Sequence, residues 1–116
     1  MTESYCVYML LCKNGAIYTG ITNDLIKRME AHIKYRSAAK FTKSFKPEKI
    51  LACWNVVGDR GPALRVEYYI KKLNSAQKKS YVEDFNLLCL DCERDLVIGV
   101  SCFLESEIEE LNKNLF

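Results

Sequence analysis

At 116 residues, with 49% hydrophobic and 28% charged residues, the chain suits one compact soluble domain built around one core. The longest apolar run near its start, residues 8–12, is far too short to cross a bilayer, and no basic segment leading into a long apolar stretch and cleavage site precedes it. The chain therefore reads as intracellular: cytoplasmic, or nuclear if its source is eukaryotic or viral. The net charge of +2 conceals an asymmetry: residues 1–80 hold 15 Lys and Arg against 6 Asp and Glu, a net of +9, whereas residues 81–116 hold 2 against 9, a net of −7. The front carries the charge of a polyanion binder, and the tail does not. Six cysteines in a chain rich in Leu, Ile and Val, with no secretion signal, read as reduced thiols. Cys89-Leu-Asp-Cys92 has zinc-like spacing, yet no second CxxC or CxxH follows it, so a structural metal is not the favoured reading.

The opening stretch CVYMLLCKNGAIYTG, residues 6–20, reads as two strands around a turn at Asn14-Gly15. A two-residue loop would mix Tyr18 with Val7, Met9 and Leu11 and leave neither face clean. A three-residue loop, Lys13-Asn14-Gly15 with the glycine in the left-handed position, pairs Cys12 with Ala16. Val7, Met9, Leu11, Ile17 and Ile21 then share one apolar face, and Tyr8, Leu10, Cys12, Ala16, Tyr18 and Gly20 the other. This register sets Tyr8 opposite Gly20 and diagonal to Tyr18, about 7–8 Å away at the backbone, so both hydroxyls can converge.

A helix follows over residues 24–36, capped by Asp24, with Leu25, Met29, His32 and Ile33 at helical spacing. Arg28 and His32 are four apart and stack on adjoining turns. By itself Arg28 reads as a solvated partner for Glu30 or Asp24. The segment KFTKSFKPEK, residues 40–49, is a basic loop with two interleaved phenylalanines, and ILACWNVV, residues 50–57, is a third strand. Pro62 falls in the first turn of a second helix that runs to about Leu73. Asn74 with Gln77 has the form of a capping box for a third helix, through about Phe85. Residues 87–104 hold one or two strands, and ESEIEELNKNLF closes the chain as a short acidic helix.

One position in the second helix is out of pattern. Ala63, Val66, Ile70 and Leu73 define its inward stripe, and at about 100° per residue Glu67 falls on the margin of that stripe. A carboxylate near a core is costly unless it is paired or binds a cation. Glu67 therefore reads either as a partner for Lys71 one turn on or as a metal ligand.

Tyr8, Tyr18, Arg28, His32 and Glu67 together resemble the GIY-YIG endonuclease superfamily. CVY at 6–8 stands where the GIY motif would be, YTG at 18–20 stands for YIG, and Arg28 and His32 follow at the family's offsets. The pieces YTGITNDLIKRMEAH, AAKFTK and GDRGPALRVEYYIKKLN are similar to the small stand-alone members, which are similar to the nuclease domain of the bacterial excision-repair endonuclease. The resemblance covers roughly residues 4–83, and its specificity lies in the order and spacing of the motifs. Cys6 replaces the first glycine, Val7 the first isoleucine and Thr19 the second, all positions of backbone fit and packing. For a downstream polar residue used by some members, Asn86 is a poor match.

The resemblance implies an α+β fold, with a small, mainly antiparallel three-stranded sheet flanked by helices, over residues 1–85. An acidic C-terminal extension, residues 86–116, would pack on the same domain, and its charge would shield the basic surface. The implied activity is divalent-metal-dependent, structure-selective hydrolysis of DNA phosphodiesters in repair or recombination. Glu67 would hold Mg²⁺ or Mn²⁺, and Arg28 would offer its planar fork to the phosphate. Tyr18 would activate or orient the attacking water, with Tyr8 and His32 in positioning roles. Lys40, Lys43, Lys46 and Lys71 are the expected DNA contacts. The alternative is a nucleic-acid-binding module that keeps the fold without cleavage; an adaptor using the acidic tail would show little affinity for DNA.

Overall fold

The turn at Asn14-Gly15 sets the register from which the rest of the sheet is built. A computed structural model describes residues 3–34 and 46–116. In it β1 (Ser4–Cys12) and β2 (Ile17–Thr22) are joined by the three-residue loop: the Gly15 amide donates to the Cys12 carbonyl at 2.8 Å and the Cys12 amide to the Ala16 carbonyl at 2.9 Å. Gly15 has φ 85°, the left-handed conformation that this loop requires and that favours glycine. Tyr8 stands opposite Gly20 and Leu11 opposite Ile17, as the hydrophobic pattern demands.

The chain continues through α1 (Leu25–Lys34), β3 (Pro47–Val57), α2 (Arg60–Lys71), α3 (Ser75–Glu83), α4 (Phe85–Leu96), β4 (Val100–Cys102) and α5 (Glu105–Leu115). Asp24 caps α1 through the Lys27 amide at 3.2 Å, Asp59 caps α2 through Gly61, and Asn74 with Gln77 closes the capping box of α3. The sheet is antiparallel throughout, in the order β2-β1-β3-β4.

To the three strands expected over residues 1–85 the structure adds a fourth, within the stretch 87–104 read as holding one or two strands. The extra one comes from the tail, where residues 100–102 pair with 54–56. Three residues are too few to show an alternating pattern, which is why the sequence does not isolate them. The apolar stretch before them is helical: Asp84 caps α4 through Asn86, and Leu88 and Cys92, four apart, are both buried. Val97, at φ 56°, ends that helix in a left-handed turn that sends the chain back to the sheet.

The two faces of the sheet carry separate clusters. On one face Val7, Met9, Ala52, Trp54 and Val56 meet Ala63, Val66 and Ile70 of α2, Tyr81 of α3, and Leu88 and Cys92 of α4. On the other, Tyr8, Leu10, Ile50 and Cys53 meet Met29 of α1 and Ile108 of α5. The pairing shifts by one residue between Met9/Ala52 and Leu10/Ile50, so a bulge places neighbouring Leu51 and Ala52 against the same cluster, where alternation would have parted them. At this bulge the Asn112 side chain of α5 accepts from the Ile50 amide at 2.7 Å and donates to its carbonyl at 2.9 Å, standing in for a neighbouring strand.

Candidate active site

The face that holds Tyr8 also holds a polar group. Strand alternation brings Tyr8 and Tyr18 to the same side, with ring centroids 6.3 Å apart. From α1, His32 closes over both, with centroids 5.9 Å from Tyr8 and 5.3 Å from Tyr18, each edge-on. The Tyr8 hydroxyl lies 2.9 Å from His32 Nε2, and Arg28 Nε donates to that hydroxyl at 3.4 Å. The phenol oxygen has two lone pairs, so it accepts from Arg28 while sharing one proton with Nε2. Tyr18 also contributes to the electrostatics of Arg28, so the guanidinium lies near both phenols.

Gly20 makes this approach possible. A Cβ at that position would lie 2.5 Å from the Tyr8 hydroxyl and 3.0 Å from Cε1 of Tyr18, so any other residue displaces a ring.

Burial divides the group into two layers. Tyr8 and His32 are both fully buried, whereas Tyr18 and Arg28 are half-buried and reachable from solvent. Desolvation pushes the Tyr8 hydroxyl far above the ordinary tyrosine range; the Arg28 hydrogen bond opposes this, and the charges of Tyr18 and Glu67 add to it. Burial, with help from the Arg28 charge, lowers His32 to about 4. At neutral pH the inner pair is thus an uncharged phenol bonded to an uncharged imidazole. The hydrogen bond to Tyr8 raises Arg28 further, so it remains a cation.

Glu67 comes from α2, which packs on the opposite face of the sheet against β1 and the edge strand β2, and its charge is felt at the Tyr8 hydroxyl. Its side chain is 18% exposed and lies 3.5 Å from Lys71 Nζ. Arg28 is not the partner of Glu30 or Asp24 that its spacing suggested: Glu30 pairs with Lys34 at 3.6 Å, and Arg28 turns inward to the phenols. Among the proposed DNA contacts, Lys46 is exposed at the start of β3 and its carbonyl accepts from the Lys13 amide at 2.8 Å. Lys71 flanks Glu67, while Lys40 and Lys43 lie outside the described residues. Asn86 accepts from the Cys102 thiol at 3.4 Å at the start of α4. Cys89 and Cys92 are free thiols whose pKa values burial raises to about 11 and about 12.

The division into an inner and an outer layer had no signature in the sequence, because it depends on where α1 lies over the sheet. No cluster of three or more His, Cys, Asp or Glu side chains poised for a metal occurs among the described residues. A single carboxylate suits a hard divalent ion that retains most of its waters and is bound through one or two carboxylates together with substrate phosphates.

A small antiparallel sheet flanked by helices, with two tyrosines, an arginine and a histidine gathered on one side, is the architecture of a GIY-YIG domain. Residues 4–81 match the GIY-YIG catalytic domain, and the chain belongs to that family. It is similar to a UPF0213 protein of Xanthomonas campestris pv. campestris (strain 8004), 36% identical over 89 residues, covering 77% of this chain and 85% of the relative. It is also similar to a UPF0213 protein of Neisseria meningitidis serogroup B (strain MC58), 42% identical over 83 residues, covering 70% of this chain and 87% of the relative. A solution NMR structure of a UPF0213 protein from Bacillus halodurans shares 32% identity, covers 69% of this chain and 83% of that one, and superposes with a TM-score of 0.43. Membership places the chain in a nuclease superfamily and implies DNA as substrate. No helix among the described residues is long and apolar enough to cross a membrane.

Proposed function

We propose that this protein is a divalent-metal-dependent DNA endonuclease that hydrolyses phosphodiesters, selective for DNA structure, in repair or recombination. Residues 1–85 form its catalytic unit, and residues 86–116 are an addition packed on that unit. The observation that carries the reading is the two-layer arrangement, in which Tyr18 and Arg28 are reachable while Tyr8 and His32 are sealed behind them.

Each residue then has a separate task. Arg28 binds and orients the nonbridging phosphate oxygens, where charge accumulates in the transition state. Tyr18, half-buried beside it, orients the attacking water and accepts or relays its proton. Tyr8 and His32 are positioning residues: their hydrogen bond fixes Arg28 through Tyr8, and neither touches the substrate. Glu67 would hold Mg²⁺ or Mn²⁺ in exchange for its contact with Lys71, and Lys71 would then be released toward the DNA. When bound, the ion supplies positive charge at the phosphate and lowers the pKa of water. Lys40, Lys43 and Lys46 contribute sequence-independent phosphate contacts.

A nicking assay over branched, nicked and single-stranded DNA, with Mg²⁺ or Mn²⁺, tests this. Glu67→Ala and Tyr18→Phe are each expected to lose on the order of 100-fold or more in rate, with DNA binding and thermal unfolding close to wild type. Retained cleavage by Glu67→Ala refutes the assignment. Salt-sensitive binding without cleavage of any substrate would identify the non-catalytic binding module instead.

A further inference from the structure

On the sheet face opposite the tyrosines, the β1–β2 hairpin and α3 enclose a groove of about 580 Å³, within the usual range of ligand sites, about 300–1,000 Å³. Its floor is aliphatic, made by Leu11, Ile17, Leu51 and Val82, and its rim carries Lys78 and Lys79. Lys49, opposite Leu11 in the ladder, is not part of that lining: it lies in the adjoining hollow with Glu105 and Glu109. Among the described residues no carboxylate lines this groove. A second groove, of about 650 Å³ between α1 and α5, is rimmed instead by Glu107 and Glu110. The two are alike in size and opposite in charge, so only the first suits a polyanion.

We propose that the groove between the hairpin and α3 binds a single-stranded segment of DNA, its phosphates on Lys78 and Lys79 and a base against the aliphatic floor. A duplex keeps its bases stacked inside and offers that floor nothing to bury, whereas a single strand offers both a backbone and a free base. Among the described residues no aromatic side chain lines the groove, so there apolar burial rather than ring stacking holds the base, and binding is tolerant of sequence. The position relates the groove to the candidate active site. Ile17 and Tyr18 are consecutive on β2 and point to opposite faces, one into the groove and one into the tyrosine cluster. Since β2 is an edge strand, a strand diverging from a duplex at the tyrosines passes around that edge into the groove. This inference takes DNA as the polymer from the nuclease reading, and it narrows the substrate to DNA with a single-stranded branch or flap.

The test is fluorescence anisotropy of a labelled oligothymidylate with the full chain and no divalent ion. Lys78→Glu/Lys79→Glu is expected to weaken binding at least ten-fold. Lys78→Gln/Lys79→Gln, a milder change, should lose less affinity but lower the slope of log affinity against log salt by about 1.4, from two phosphate contacts at about 0.7 each. Methyl NMR should show shifts at Leu11, Ile17, Leu51 and Val82 with the oligothymidylate, and smaller ones with an abasic oligomer of equal length. Unchanged affinity in both folded double variants, or binding that leaves those methyls unmoved, or equal shifts from the abasic oligomer, would overturn the proposal. Because binding is read without the ion, failure to cleave would remove the nuclease reading alone, and failure to bind here would remove the groove alone.

Discussion

The two faces of the sheet are built from the same strands and stabilised in different ways. One is apolar, with Trp54 and Val7 against α2, α3 and α4. The other buries a phenol and an imidazole beneath a guanidinium. Alternation along β1 sends Val7 and Met9 to the first and Tyr8 and Leu10 to the second, so one strand serves both. The contrast shows the main apolar core and the hydrogen-bonded tyrosine group assigned to opposite sides of a single layer, with Glu67 contributed by a helix of the apolar side, and each side predicts its own response to perturbation.

The largest effect is expected on the apolar side. Trp54 is fully buried, and its Nε1 donates to the Phe85 carbonyl at 2.9 Å, tying β3 to the start of α4. Trp54→Ala should cost about 3–5 kcal/mol by denaturant titration; a loss below about 1 kcal/mol would contradict the assignment of the main core to this face. Acid should act through the polar side. His32 sits at about 4 when folded, against an ordinary 6.5, so between these values the unfolded chain binds the extra proton and stability falls as pH drops. The loss approaches about 3 kcal/mol by pH 4, and His32→Gln should flatten that slope in thermal melts between pH 4 and 7.

Smaller changes sharpen the comparison. Tyr8→Phe leaves His32 Nε2 without the hydroxyl 2.9 Å away, at a cost of about 1–3 kcal/mol, and loosens Arg28. Nicking rate should therefore fall with little change in metal requirement, measured as the metal concentration giving half-maximal rate. Thr19 belongs to the apolar side, and its buried hydroxyl has no hydrogen-bond partner among the described residues. Thr19→Val should raise unfolding stability by about 1 kcal/mol, a gain at the position where the resemblance expects isoleucine.

Much of this contrast was legible in the sequence. The loop length followed from requiring one clean apolar face, and it fixed the placement of Tyr8, Tyr18 and Gly20. The caps at Asp24 and Asn74, with Pro62 in a first turn, located three helices. What escaped depends on tertiary packing: the inward turn of Arg28, the complete burial of Tyr8 and His32, and the β3 bulge all require α1 and α5 to be in place. In the tail, α4 was mistaken for strand because the consecutive apolar residues Leu87 to Leu90 hide the helical spacing of Leu88 and Cys92. The charge asymmetry was plain from the sequence, but residues 86–116 also supply Leu88, Cys92, Ile98 and Ile108 to the two clusters. Deleting them would therefore expose core as well as remove charge, and the shielding idea is better tested by neutralising surface glutamates of α5.

The Asn112 clamp on Ile50 bears on how the chain is made. A primary amide near the end of the sequence seals a backbone position that β1 and β3 leave open on one side. During synthesis that stretch of β3 emerges long before its seal, and an unpaired strand edge is a template for joining another chain. The interval between translation of residue 50 and residue 112 is therefore a window for self-association, and Asn112→Ala would prolong it into the finished protein.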